Sequence, residues 1–219
     1  MTRLRERGAE RYGFALVLIL AAMIFIMAAP DEPWSRATAL GLQGAALFAS
    51  LRAAQSDFRI RVAVGIIIGI GLAAGINVTI FDAGFGPDFV SWASLILVVL
   101  AGPVIAFGVV RQVKEHKAIT IHTMMGVLCI YLLMGIAFAS SFAVVESVGD
   151  GPFFRAGDGG ETLSNYLYFS LTTITTAGLG DFAPAEGVGR SLTAAEALIG
   201  QIYLVTIVAV IVANLGRKR

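Results

Sequence analysis

A chain of 219 residues with one cysteine, Cys129, and two histidines, His116 and His122, has little with which to bind a transition metal. The lone thiol excludes an internal disulfide, and its place inside an apolar run gives it the reading of a small packing residue. Charge is scarce too, at 14% of residues with a formal net charge of +1. No glycine-rich nucleotide motif, metal-chelating cluster or nucleophile–base pair is present, so an enzyme is not expected. Nothing points to a nucleic-acid partner either.

Apolar residues are what the chain has in excess. They make up 57% of it, and the mean hydropathy is +0.82. A helix needs about 20 mainly apolar residues to cross a bilayer. Six runs of that kind are present, at about 13–29, 34–51, 62–80, 89–110, 121–145 and 192–215. The second is the weakest, being short and interrupted by Gln43. Basic residues before the first run, and Met27-Ala28-Ala29 near its end, imitate a signal peptide. The run is long for such a segment, and it is read here as a retained span.

Lys and Arg accumulate on the cytoplasmic side of membrane proteins. With the N-terminus inside, the basic residues before the first span, between the second and third, between the fourth and fifth and after the sixth all become cytoplasmic. Only Arg36, Arg155 and Arg190 fall outside. The expected protein is therefore a multi-pass cell-membrane protein with both termini in the cytoplasm. Its outer loops collect acidic residues, which either concentrate cations near an entrance or are ordinary solvated loops.

The connection between the fifth and sixth spans is too long for a simple link. After a Gly-rich acidic stretch, residues 162–175 are apolar enough for a helix of about thirteen residues, roughly 20 Å long. Glu161 or Thr162 can cap its start. Such a helix enters a bilayer without crossing it, so the chain must return through Thr175-Thr176-Ala177-Gly178-Leu179-Gly180-Asp181. Irregular backbone at membrane depth has to be buried in protein or line a water-filled path.

These residues resemble the pore loop of tetrameric potassium channels, whose filter reads T-V-G-Y-G-D. Thr176, Ala177, Gly178, Leu179, Gly180 and Asp181 stand in its place, preceded by Tyr168-Phe169-Ser170 and Thr172-Thr173-Ile174-Thr175. Pro184, Gly189-Arg190 and the stretch from Glu196 to Leu204 extend the likeness, which covers about 119–215. The resemblance implies a homotetramer in membrane lipid, with K+ ions held by backbone carbonyls of Thr176 to Gly180 and no organic cofactor. Gly178 and Gly180 fit that chemistry because glycine reaches dihedrals closed to other residues. The C-terminal end of the short helix, near Ile174 and Thr175, would add partial negative charge toward a cation.

Two filter positions depart from the pattern, Ala177 for Val and Leu179 for Tyr. The carbonyls survive both changes, while the missing phenol removes a brace behind the filter. Thr172 stands where some relatives carry a glutamate bonded to the aspartate, here Asp181, and it either supports the filter or bonds to its own helix. Glu196 is the one charged residue more than a turn inside a span. It lies about 9 Å beyond Arg190 along a helix and is expected to brace the pore loop through its charge. Gly200 is open to two roles, hinge or close packing. Thr206, Val210 and Ala213 share a helical face and are candidates for an inner constriction.

The fourth span contains no Arg or Lys, so intrinsic voltage gating is not expected. His116 and His122 flank the fifth span and are solvated or, less expectedly, proton sensors. The sequence thus predicts an all-α membrane protein of six transmembrane helices, with a re-entrant pore helix and filter loop between helices 5 and 6. Residues 1–117 form a four-helix domain without sensor arginines, and 118–219 form the pore domain. The chain stops just past the sixth run, so no soluble ligand domain is expected. The function expected is passive, potassium-selective conduction. A weakly selective monovalent cation channel, or a non-conducting scaffold with a vestigial pore loop, remain the alternatives.

Overall fold

The computed structural model describes residues 2–30, 32–53, 92, 94–96, 99, 121–155, 162–185 and 187–214. Helix α1 runs Thr2–Ala28, α2 Pro33–Ala53, α3 Ile121–Val148 and α4 Leu163–Ile174. The last helix has three parts: α5 (Gly187–Ile202), a π-helical turn (Tyr203–Val208) and α6 (Ala209–Ala213). Among the described residues there is no strand, only one isolated antiparallel bridge between Phe154 and Pro184. The third expected span and most of the fourth lie outside the described residues.

Two helical stretches among the described residues, Thr123–Val148 and Gly187–Ala213, are long and apolar enough to cross a membrane. The second begins more than a turn before the expected sixth span, because Gly187-Val188-Gly189-Arg190 is already helical. In α1, Tyr12, Ala15, Ile19, Ala22, Met23 and Ile26 are buried at helical spacing. The opposite face is just as apolar, yet Phe14, Val17, Leu20, Ile24 and Met27 are exposed. Helix α1 packs against α2, α3 and α4 and contributes Tyr12, Ile19 and Met23 to the shared core.

A tight turn reverses the chain between α1 and α2. Ser35 caps it: its hydroxyl, which has one proton to give, lies within hydrogen-bond reach of the carbonyls of Pro30 and Glu32, while the Glu32 N–H bonds back to it. Pro33 opens α2 at the position where a missing N–H costs nothing. Gln43 of α2, Ser94 and Ser140 of α3 are all buried and form one hydrogen-bonded group. Gln43 and Ser94 are bonded at 2.8 and 3.0 Å, and the two serine hydroxyls lie 2.8 Å apart.

Helix α4 buries Tyr166, Leu167, Phe169, Ser170, Thr173 and Ile174 along one side and lies on α3 and α5. An aromatic cluster fixes the loops beside its N-terminal half. Phe153 lies 5.0 Å from Phe142, and Phe154 lies 5.2 Å from Tyr166 and 4.9 Å from Phe182, ring centre to ring centre. The bridge beside them exchanges Arg155 N–H to Ala183 and Ala185 N–H to Phe153. A side chain on Gly189 would lie 2.9 Å from the Phe153 ring, so only glycine lets the last helix start this close.

Candidate functional site

The site is assembled around α4. Thr162 is extended, and its hydroxyl accepts the Asn165 N–H at 3.2 Å, closing the start of the helix as the sequence predicts. The other possible cap, Glu161, lies outside the described residues. At the far end, the carbonyls of Leu171, Thr172 and Thr173 accept the N–H groups of Thr175, Gly178 and Thr176. The Tyr131 hydroxyl donates to the Ile174 carbonyl at 2.9 Å. These carbonyls are therefore partly engaged, and the summed dipole of the helix is what remains to act on a cation.

Beyond α4 the backbone alternates in hand. Thr176, Gly178 and Gly180 have φ of 58°, 51° and 80°, whereas Ala177 and Leu179 between them keep negative φ. A side chain on Gly178 or Gly180 would meet nothing within 4 Å, so glycine is needed there for its dihedrals and not for space. Thr176 holds the same hand without that freedom. For an L-residue this costs about 1–2 kcal/mol, and local strain of this kind gathers at functional sites. Sequence reasoning found the two glycines but not the strain at Thr176; its step of two from Gly178 was the available signal. Residues 175–181 are all exposed in the single chain, Leu179 by 66%.

Asp181 accepts a 2.7 Å hydrogen bond from the Tyr168 hydroxyl. That hydrogen bond to Asp181, with lesser contributions from desolvation and the carboxylate's charge, raises the Tyr168 phenol above its ordinary value. The Thr172 hydroxyl instead donates to Phe169 of its own helix at 3.0 Å, the local bond its residue type favours. Thr172 still touches the return segment, but through its carbonyl, which holds the Gly178 N–H at 3.0 Å. Tyr168, part of the motif but not expected to bond Asp181, does so from one turn before Thr172.

On the last helix, Gly189, Glu196 and Gly200 are the buried residues of α5. Glu196 meets Ser170 of α4, oxygen to oxygen at 2.5 Å. One turn further, a side chain on Gly200 would stand 2.5 Å from the Ile174 carbonyl oxygen. Gly200 is thus a close-packing glycine, and the irregular part of the helix is the π turn beyond it. Tyr203, which opens that turn, stacks on Tyr131 at 5.8 Å and donates to the Val127 carbonyl at 2.8 Å. Thr206, Val210 and Ala213 are all exposed in the single chain, and between them Ile211 turns inward. Arg190 is exposed and donates to the carbonyls of Pro184 and Ala185. His116 lies outside the described residues, and His122 is placed only as part of α3.

A strand that alternates in the sign of φ can turn successive carbonyls to one side, which a pleated strand cannot. Such a row, with a threonine hydroxyl at its start, can replace part of the water shell of a bare cation. Residues 126–217 match a family model described as an ion channel. The match takes in nearly all of α3, then α4, the return segment and the last helix. Protein LctB of Bacillus caldotenax is 28% identical over 123 residues, covering 54% of this chain and 90% of that protein. No solved structure matches the chain.

Proposed function

We propose that this chain is the subunit of a homotetrameric, potassium-selective channel that conducts K+ passively across the cell membrane. The observation that carries it is the alternating backbone of Thr176 to Gly180, set after a short capped helix and between two apolar helices. The ion-channel match over 126–217 supports the reading independently of these dihedrals. Carbonyls of Thr176 to Gly180 and the Thr176 hydroxyl would hold K+, with Asp181, Tyr168 and the Thr172 carbonyl fixing the segment. A single chain supplies one wall of such a site, so four chains are needed to surround the ion.

Six spans with cytoplasmic termini complete the topology, the orientation resting on the distribution of Lys and Arg. The lack of basic residues in the fourth apolar run argues against steep intrinsic voltage gating. The deciding experiment is a planar-bilayer recording of purified protein under opposed K+ and Na+ gradients. A reversal potential that follows K+ is expected. One that responds equally to Na+ establishes a weakly selective cation channel, the reading that Ala177 and Leu179 leave open. No current and no tracer flux in vesicles would leave a scaffold.

A further inference from the structure

Behind the proposed filter, one hydroxyl has to serve two acceptors. Ser170 Oγ lies 2.7 Å from the Gly135 carbonyl oxygen of α3 and 2.5 Å from Glu196 Oε1 of α5. A serine hydroxyl carries a single proton. If Ser170 donates to Gly135, Glu196 must be the donor in the second contact. If Ser170 donates to an ionised Glu196, two oxygens stand 2.7 Å apart at Gly135 with no hydrogen between them.

The surroundings favour the first arrangement. Glu196 is fully buried, and its Oε2 has no partner among the described residues. An ionised carboxylate there would leave a charged oxygen unpaired in an apolar interior, the costliest kind of buried group. Arg190, on the same helix, is exposed and bonded to the carbonyls of Pro184 and Ala185. From α3 the titratable group facing this region is Tyr131, whose hydroxyl is directed at Ile174. On α4, Tyr168 faces Asp181 instead.

We propose that Glu196 carries a proton in the folded protein and works as a neutral hydrogen-bond donor, forming the relay Glu196 O–H to Ser170 O–H to Gly135 C=O. The relay joins α5, α4 and α3 one turn from the Gly200–Ile174 contact, and so seats the helix that presents the return segment. Glu196 is then a positioning residue through hydrogen bonding and not through charge, which reverses the expectation drawn from sequence. Its positioning role rests on the channel reading; the location of the proton does not.

Infrared spectroscopy of purified protein in H2O and D2O at neutral pH tests the proton directly. The parent is expected to show the carbonyl band of a protonated carboxylic acid, shifted by deuteration and missing from E196Q. Spectra of parent and E196Q without that difference would overturn the proposal. Flux supplies the second readout. Gln keeps a donor in the same place, so E196Q is expected to pass K+ within about twofold of the parent. E196A, which removes the donor to the Ser170 oxygen and leaves a cavity between α4 and α5 while Ser170 keeps its bond to Gly135, is expected to lose about tenfold or more. E196Q falling as far as E196A would show that charge is what matters and sink the relay. If the parent itself passes no cation, the channel reading fails, and the infrared band still decides where the proton is.

Discussion

Three glycines near the site differ in why they are glycine, and the difference can be measured. At Gly178 an added methyl meets open space but must adopt a φ of 51°. Gly178→Ala should therefore cost only about 1–2 kcal/mol locally. It is expected to lower stability by no more than that while reducing K+ flux, because the strained residue is in the segment proposed to conduct. Gly200 lies in ordinary helix, yet its methyl would stand 2.5 Å from the Ile174 carbonyl oxygen. Gly200→Ala is expected to lower stability by more, about 3 kcal/mol, since backbone cannot yield as a side chain can. Calorimetry and flux on both variants check the contrast, and equal losses of stability would refute it. Gly180, with a φ of 80° and no neighbour within 4 Å, belongs with Gly178. Tyr168 makes a further prediction. Its phenol is raised above the ordinary value of 10.0, chiefly by the hydrogen bond to Asp181. A phenol so raised stays protonated as pH climbs, so the bond persists throughout the neutral range and is lost only at strongly alkaline pH. Tyr168→Phe should thus change the open time of single channels by the same factor at every pH from mildly acidic to mildly alkaline. A difference that vanishes within that range would mean another group controls the segment.

Between elements, the hydrogen-bonded group of Gln43, Ser94 and Ser140 ties α2 and the region of Ser94 to α3. Removing Gln43 leaves the two serines bonded to each other, so the loss is partial. A side-chain hydrogen bond of this kind contributes about 0.5–1.5 kcal/mol net. Gln43→Leu is expected to lower the unfolding temperature in detergent slightly, whereas Ser94→Ala, which removes the shared member, should lower it more. The opposite order would show that Gln43 is held by packing alone. The same group marks where sequence reading stops. Gln43 weakened the second span in the sequence because its partner is 51 residues away, and no local pattern announces such a pairing. Helices α2, α3 and α4 were legible within a few residues from their apolar runs and the cap of α4, whereas α1 was legible only from about Gly13, its charged first turns from Thr2 lying outside any apolar run. The π turn was not, because Tyr203–Val208 is ordinary helical sequence and the departure arises where Tyr203 is held by Tyr131 and Val127. In the site, the resemblance to a pore loop drew attention to Thr176 to Gly180, where the backbone alternates in hand, and the apolar run around it drew attention to Glu196, which is buried. Its contact with Ser170 was not legible, for it depends on the register of two separate helices, 26 residues apart in sequence.

At the scale of the whole molecule, the last helix leaves one broad face exposed in the single chain, with Val188, Leu198, Ile202, Val205 and Val210 among its open apolar residues. Leu179 is open on the return segment beside it. Lipid can cover a helix but not the irregular backbone of Thr176 to Gly180, whose peptide groups need protein, ions or water. Copies of the same chain meet both needs at once if each contributes one wall of a central path. A closed ring of this kind makes a quantitative prediction. If one altered segment disables the whole assembly, co-production of equal amounts of parent and Gly178→Ala leaves only rings made entirely of parent subunits. Random mixing then leaves about one-sixteenth of the parent flux for four subunits, against about one-quarter for two. The measurement is tracer K+ uptake into vesicles made from cells producing both chains at matched levels. Residual flux near one-half would mean that each chain conducts alone, and it would remove the need for a tetramer. A value near one-sixteenth, together with a four-subunit mass in detergent, would connect the alternating backbone of a single residue stretch to the symmetry of the assembly.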